Sequence, residues 1–147
     1  MTNQTPYRFS TLLTVRIQDI NYGAHLGNDA FIQYFHEARI QYLDRFGFSE
    51  MDIGDGLGVI LTELYCQFKG EAFYKDILRI YARIRDIKKV RFTMDYQMIR
   101  EKDQVLIATG YSVQASFDYQ ARRPLPLPES FITRVKDYER GPKVDKT

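Results

Sequence analysis

Cysteine is nearly absent from this sequence: one thiol, Cys66, stands among 147 residues. That excludes an intrachain disulfide framework and a multi-cysteine zinc site, and a reducing compartment, the cytoplasm, is the resulting expectation. Charge of one sign is also lacking. Twenty-one basic residues face nineteen acidic ones, a net charge of +2, which gives no bulk electrostatic case for a nucleic-acid binder, so any anion site must be local. No apolar run approaches the roughly 20 residues of a membrane-spanning helix, and the start, Met1-Thr2-Asn3-Gln4-Thr5-Pro6, lacks the charged-then-apolar pattern of a signal peptide. Neither G-x-G-x-x-G after a strand nor G-x-S-x-G occurs, so the dinucleotide fingerprint and the serine-hydrolase elbow are missing.

What is present suits one α+β domain over residues 1–147. Apolar residues make up 44% and aromatics 14%, enough for a sizeable core in a chain of this length. Leu13, Val15 and Ile17 alternate with Thr14, Arg16 and Gln18, which predicts a first strand from about Tyr7 to Gln18 with those three apolar residues inward. Phe31, Tyr34, Phe35, Ala38, Tyr42 and Phe46 recur at steps of three and four and predict a helix over 29–46, capped by Asn28 and stopped near Gly47. After a glycine-rich loop, four stretches rich in β-branched and aromatic residues follow: 59–69, 77–86, 90–100 and 105–119. Short connections at 87–89 and 101–104 imply antiparallel hairpins. The expected order is β-α-β-β-β-β: five antiparallel strands and one long helix, with the core at about 7–119. In the tail, 120–147, Pro124, Pro126 and Pro128 alternate and argue against regular structure there. A short helix over 129–139 and a frayed end at 140–147 complete the expectation.

Between the first strand and the helix lies Asp19-Ile20-Asn21-Tyr22-Gly23-Ala24-His25-Leu26-Gly27-Asn28. A helix N-terminus opening from a polar glycine-containing loop offers free N–H groups to an anionic or polarised atom. His25 has the side chain suited to proton transfer near neutral pH, or it simply satisfies loop backbone groups. Asp19 could orient His25, hold a water or tie down the loop. Asn21 and Asn28 can donate to a carbonyl oxygen, Asn28 doubling as the cap. Glu63, between Leu61 and Leu64 in an apolar strand, reads as a buried carboxylate with a raised pKa or as an arginine partner. His36, Glu37 and Arg39 read as structural and Cys66 as packing. Lys88, Lys89 and Arg91 form a cationic group at a hairpin, either a phosphate site or a solvated turn.

These residues resemble a family. Val15-Arg16-Ile17-Gln18-Asp19-Ile20-Asn21, then Gly23-Ala24-His25-Leu26-Gly27-Asn28, then Tyr34-Phe35-His36-Glu37-Ala38-Arg39 is similar to the hot-dog-fold acyl-CoA thioesterases of the 4-hydroxybenzoyl-CoA thioesterase type. The resemblance spans roughly 7–119. It implies a sheet wrapped around the helix, a homodimer or homotetramer with sites at the interface, and hydrolysis of an acyl-CoA thioester to a free acid and CoA. It implies no metal and no cofactor beyond the coenzyme A of the substrate, whose phosphates Lys88, Lys89 and Arg91 would meet. Asn21 stands where that family places its second aspartate, and an amide cannot act as a base or nucleophile. The stretch is also similar to the Asp-x-Asn-x-His cluster of plant-type acyl-carrier-protein thioesterases, if Tyr22-Gly23 is an insertion; Asp19, Asn21 and His25 then keep their roles, with Glu63 as the downstream acid. Two alternatives stand beside hydrolysis: a hot-dog enoyl-CoA hydratase, whose Asp-x-Asn-Pro-x-His motif differs by one residue of spacing and by Tyr22 at the proline position, and a non-catalytic acyl-CoA-binding module.

Overall fold

In the computed structural model, which describes residues 7–141, the elements run β1 (Phe9–Thr14), a 3-10 turn (Ile17–Asp19), α1 (Asn28–Asp44), β2 (Gly58–Phe68), β3 (Ile77–Ile87), β4 (Arg91–Arg100), β5 (Leu106–Asp118), β6 (Arg123–Pro124) and α2 (Glu129–Arg140). The sheet is antiparallel, in the order β1-β3-β4-β5-β2, with β6 added to β5. Alternation explains which face is which. Leu78, Ile80, Ala82 and Ile84 on β3 and Phe92, Met94, Tyr96 and Met98 on β4 are all buried, and α1 lies over them with Phe31, Tyr34, Phe35, Ala38 and Tyr42 on its buried side. This is the hot-dog arrangement, a sheet curved around a helix.

Contact between the helix and the sheet is close at one point. Phe35 stacks on Tyr96 with ring centroids 4.7 Å apart, and a Cβ at Gly110 would stand 2.7 Å from the Phe35 ring, so only glycine lets β5 pass beneath it. Beside this stack runs a buried polar chain. Arg39, 5% exposed, donates to Glu50 at 2.8 Å and to the Tyr96 hydroxyl at 3.0 Å, and Tyr96 and Ser112 share a 2.6 Å hydrogen bond. Burial opposes the Arg39 charge, but Tyr96 and Glu50 outweigh it and raise its pKa, as a buried cation requires. Glu50 has a second partner in His36, whose Nε2 lies 3.0 Å from Oε1.

Several expectations need correction. β1 ends at Thr14, because the 3-10 turn breaks the alternation: Asp19 N–H donates to Arg16 and Ile20 N–H to Ile17. Val15 is buried as expected, Leu13 is half-buried against the core, and Ile17 is 63% exposed. The sheet has six strands rather than five. Pro124 is compatible with β6 because a two-residue strand at a sheet margin asks little of its N–H groups, and beyond it Leu127 is buried. The predicted C-terminal helix is present as α2, and its Phe131 and Val135 complete the core. Residues 142–147 of the expected frayed end lie outside the described residues, as does the polar lead-in, 1–6.

The loop before α1 is braced from below. Asp19, 7% exposed, accepts hydrogen bonds from Arg16 Nε at 3.1 Å, Arg16 Nη2 at 3.2 Å and the Tyr34 hydroxyl at 2.5 Å. Its own carbonyl accepts the Gly27 N–H at 3.0 Å. Burial pushes the Asp19 carboxyl upward, yet the Arg16 and Tyr34 hydrogen bonds prevail and hold it below the ordinary carboxylate value. The folded chain therefore binds this proton less readily than the unfolded chain, so the brace stabilises fully above the unfolded carboxylate pKa and is lost as pH falls through the lower folded value. We expect Asp19→Asn to lower stability by about 1–3 kcal/mol near neutral pH, the scale of disrupting a buried charge-assisted hydrogen-bond set. The loss should begin to shrink as pH falls below the unfolded carboxylate pKa of about 3.9, where the unfolded chain takes up the proton before the folded one does. Denaturant melts of both proteins from pH 3 to 7 check this; a pH-independent difference would remove Asp19 from that role.

Candidate functional site

The loop closes on itself through main-chain bonds. Asn21 N–H donates to the His25 carbonyl at 3.0 Å and Ala24 N–H to the Asn21 carbonyl at 3.0 Å, with Ala24 in the left-handed region at φ 67°. Gly23 N–H donates to Asn21 Oδ1 at 2.9 Å. That bond assigns the amide: its oxygen is occupied by the loop, so its NH₂ is the group left to donate outward. Gly23 also leaves room for the imidazole, since a Cβ there would sit 3.0 Å from His25 Nε2.

His25 is half-buried, and its Nδ1 lies 3.2 Å from the Leu26 carbonyl oxygen. A carbonyl only accepts, so Nδ1 carries the proton in the neutral ring and Nε2 keeps its lone pair. The ring is set beside a cavity of about 420 Å³ lined by Asn21, Tyr22, His25, Asn28, Phe68 and Glu71, with Leu26, Phe31 and Gly70 completing it. Phe31 and Phe68 meet edge to face, centroids 4.9 Å apart, and form its apolar wall. Tyr22 stands fully exposed at the rim.

Three of the five expected site residues, Asn21, His25 and Asn28, thus share one cavity. Asn28 has a different local role from the one expected. The N-cap of α1 is Gly27, Asn28 is the first helical residue, and its side chain makes no capping bond; Gly27 takes the cap because its extended backbone directs its carbonyl to the Ala30 N–H at 3.0 Å. The Asn28 amide is therefore available to the cavity. Asp19 lies under the loop and does not line the cavity. Glu63 departs further. It is exposed, not buried, because a bulge between Leu61 and Glu63 changes the alternation of β2. Glu63 then shares a row with Val113, away from the cavity residues.

Lys88, Lys89 and Arg91 are also remote. All three are exposed, and the Lys88 ammonium lies 3.8 Å from Asp86. Arg91 pairs with Ala115, whereas Phe68 of the cavity pairs with Ala108 and so stands level with Met98. Seven residues of β4 separate the two levels, about 23 Å at the usual rise. Within one chain the cationic turn and the cavity occupy opposite ends of the sheet.

Glu71 was not singled out by its sequence context. It follows Gly70 in the β2–β3 connection, and only the sheet brings it to the cavity that His25 lines. Cys66 is half-buried against the core, and burial pushes its thiol up to about 11, so it packs rather than reacts. Among the described residues no cluster of His, Cys, Asp and Glu could hold a metal ion, and no helix is long and apolar enough to cross a membrane.

Comparison with known proteins gives the same fold and a family. The structure is similar over 88% of this chain to 96% of a 1,4-dihydroxy-2-naphthoyl-CoA thioesterase from Synechocystis, at 23% identity and TM-score 0.80. It is similar over 99% of this chain to 94% of a Staphylococcus aureus protein in complex with CoA, at 18% identity and TM-score 0.83. A DHNA-CoA thioesterase from Staphylococcus aureus matches at 20% identity and TM-score 0.77, over 89% of this chain and 88% of that one. At these identities the likeness shows the fold. A "Putative esterase" from Aquifex aeolicus (strain VF5) is 32% identical over 72 residues, 48% of this chain, and the match spans about half of that relative, 56% of its length. The family described as the Thioesterase-like superfamily matches residues 15–135, most of the chain and all of the elements that build the cavity; the chain belongs to the Thioesterase-like superfamily.

Proposed function

We propose that this protein is an acyl-CoA thioesterase, hydrolysing a thioester to a free acid and CoA at the cavity of Asn21, His25 and Asn28. The observation that carries the reading is the fixed imidazole: His25 Nδ1 is held on the Leu26 carbonyl, which leaves Nε2 basic on the same cavity wall as the Asn21 amide. Water needs a base and the thioester carbonyl needs donors, and the two groups supply one each. Nε2 takes a proton from water as its oxygen attacks the carbonyl carbon. The negative charge that develops on the carbonyl oxygen is met by the Asn21 and Asn28 amides. Collapse breaks the C–S bond, the CoA thiolate leaves, and the proton held by His25 neutralises it. Asp19 supports the loop, and Glu63 has no part in the proton transfer within its own chain.

Membership of the superfamily, together with structural neighbours that act on CoA thioesters or bind CoA, supports the substrate class. The 4-hydroxybenzoyl-CoA type remains the nearest pattern for the loop sequence. A second copy completes the site in this reading. β2 is an edge strand of eleven residues, and Leu61, Tyr65 and Phe68 along it are 47%, 46% and 51% exposed; such an edge calls for a partner. Antiparallel pairing of two β2 edges sets the far end of one sheet beside the cavity end of the other. That brings a partner's cationic turn toward the phosphates of bound coenzyme A.

The first check is thiol release from a panel of acyl-CoA substrates. A hydratase consumes an enoyl double bond without freeing CoA and a binding module does neither, so absence of thiol release across the panel removes the hydrolase reading. On a good substrate, His25→Ala should lower kcat by roughly 10²-fold or more, the scale of losing a general base. Asn21→Asp should also lower it, because a carboxylate repels the developing oxyanion; a gain in activity would instead make residue 21 the site of a missing base.

The charge-reversed variant Lys88→Glu/Lys89→Glu should raise KM, with kcat nearly unchanged, and the difference should shrink with added salt. An unaltered KM would return the turn to ordinary solvent exposure. Light scattering at micromolar concentration should give a mass of at least two chains. A clean monomer would sink the shared-site arrangement while leaving the His25 chemistry standing.

A further inference from the structure

Residue 21 is an amide, so His25 is the one base on the loop side of the cavity, and the second O–H of an attacking water needs an acceptor from elsewhere. Asp19 is consumed by Arg16 and Tyr34, and Glu63 is elsewhere on the sheet. Glu71 is the one carboxylate among the residues lining the cavity. Its side chain is exposed at the cavity mouth and forms no hydrogen bond or ion pair with the described residues, while its main chain is held on both sides. Leu26 N–H donates to the Ala72 carbonyl at 2.8 Å, Lys69 and Gly70 N–H groups both donate to Ile107 at 2.9 and 3.1 Å, and Arg100 Nη1 donates to the Glu71 carbonyl at 2.7 Å. Arg100 is itself tied to Asp76 and Asp103, and Ala72 is fully buried. The carboxylate is thus carried by an anchored stretch of chain, and the Leu26–Ala72 bond joins that stretch to the residue after His25.

We infer that Glu71 is the water-positioning carboxylate of this site, a role that rests on the hydrolase reading above. Water has two O–H bonds. His25 Nε2 accepts the one whose proton is transferred, and the Glu71 carboxylate accepts the other, so that the lone pair of the oxygen faces the thioester carbon. No proton moves to Glu71 and no additional reactant is required. Restricting the water in this way contributes through orientation, and an unpaired carboxylate at the cavity is the acceptor such a role needs. It also accounts for an enzyme site that keeps an amide at residue 21: donors lie on the loop, and the negative charge comes from the other connection, on the water's side rather than the oxyanion's.

The test uses the full chain and an acyl-CoA substrate that the wild type hydrolyses. Glu71→Ala should lower kcat by roughly 10-fold or more with KM within about 2-fold, the signature of an interaction made in the reaction rather than in binding. Added formate, a small carboxylate able to enter the vacated space, should restore part of that kcat in Glu71→Ala and have no such effect on His25→Ala. Glu71→Gln, which keeps an acceptor oxygen without the charge, should fall between wild type and Glu71→Ala. A Glu71→Ala protein with wild-type kcat overturns the inference, as does a lost kcat that formate does not restore in a variant melting at the wild-type temperature. These outcomes leave the hydrolase reading intact. A wild type that frees thiol from no acyl-CoA overturns both.

Discussion

The carboxylate of Asp19 accepts a 2.5 Å hydrogen bond from Tyr34 on α1 and a two-pronged grip from Arg16 on the chain that leaves β1. These bonds join the three parts whose relative placement makes the cavity: the end of the first strand, the loop and the central helix. Without the carboxylate at that point, the buried Tyr34 hydroxyl would lose the acceptor of its hydrogen. The Gly27 N–H bond to the Asp19 carbonyl then fixes where α1 begins, and with it the positions of Asn28 and Phe31 on the cavity wall. A buried charge is tolerated here because all the partners arrive together, three from Arg16 (Nε, Nη2 and its main-chain N–H) and one from Tyr34.

In the hydrolysis we propose, labour divides between two connections. The loop between β1 and α1 contributes donors: the Asn21 amide, whose oxygen is occupied by Gly23, and Asn28, released from capping by Gly27. It also contributes one base, His25, whose ring tautomer is set by the Leu26 carbonyl. The connection between β2 and β3 would contribute the negative charge, that of Glu71. Separating donors from the carboxylate in this way avoids placing like charge beside a developing oxyanion, which would raise the barrier that the donors lower. The edge-to-face pair Phe31 and Phe68 closes the cavity with apolar surface, where hydrogen bonds to a polarised carbonyl are stronger than in bulk water.

Elsewhere the fold puts its polar groups to structural use. Arg39, Glu50, Tyr96 and Ser112 form a continuous buried chain across the helix–sheet interface, and His36 adds a contact to Glu50 at its outer end. Tyr42 and Glu139 hydrogen-bond to each other, and Glu139 also accepts the Ile84 N–H at 3.0 Å. Because β1 reaches only as far as Ala82 along β3, that main-chain donor meets no partner strand among the described residues, and the carboxylate from α2 takes its place. Burial pushes the Glu139 carboxyl up in spite of these donors. The C-terminal helix is therefore part of the core assembly rather than an appendage, with Phe131 packed on Phe48 and Phe92.

The sequence by itself determined the layers. Period-two alternation gave β3, β4 and β5 nearly to the residue, and the three-and-four spacing of Phe31, Tyr34, Phe35, Ala38 and Tyr42 gave α1 and its buried face, because a local pattern of burial is a property of a segment and its period. It also singled out the loop of Asn21, His25 and Asn28, whose members lie within eight residues of one another. Where residues distant along the chain had to meet, periodicity carried no information. Tertiary structure alone decided that Glu71 lines the same cavity as His25, that Asp19 is spent on Arg16 and Tyr34, and that Lys88, Lys89 and Arg91 lie at the opposite end of the sheet. Glu63 was misplaced for a related reason: a single bulged residue in β2 reverses which side chains face inward, and the register that decides it is fixed by pairing with β5, not by the strand's own sequence.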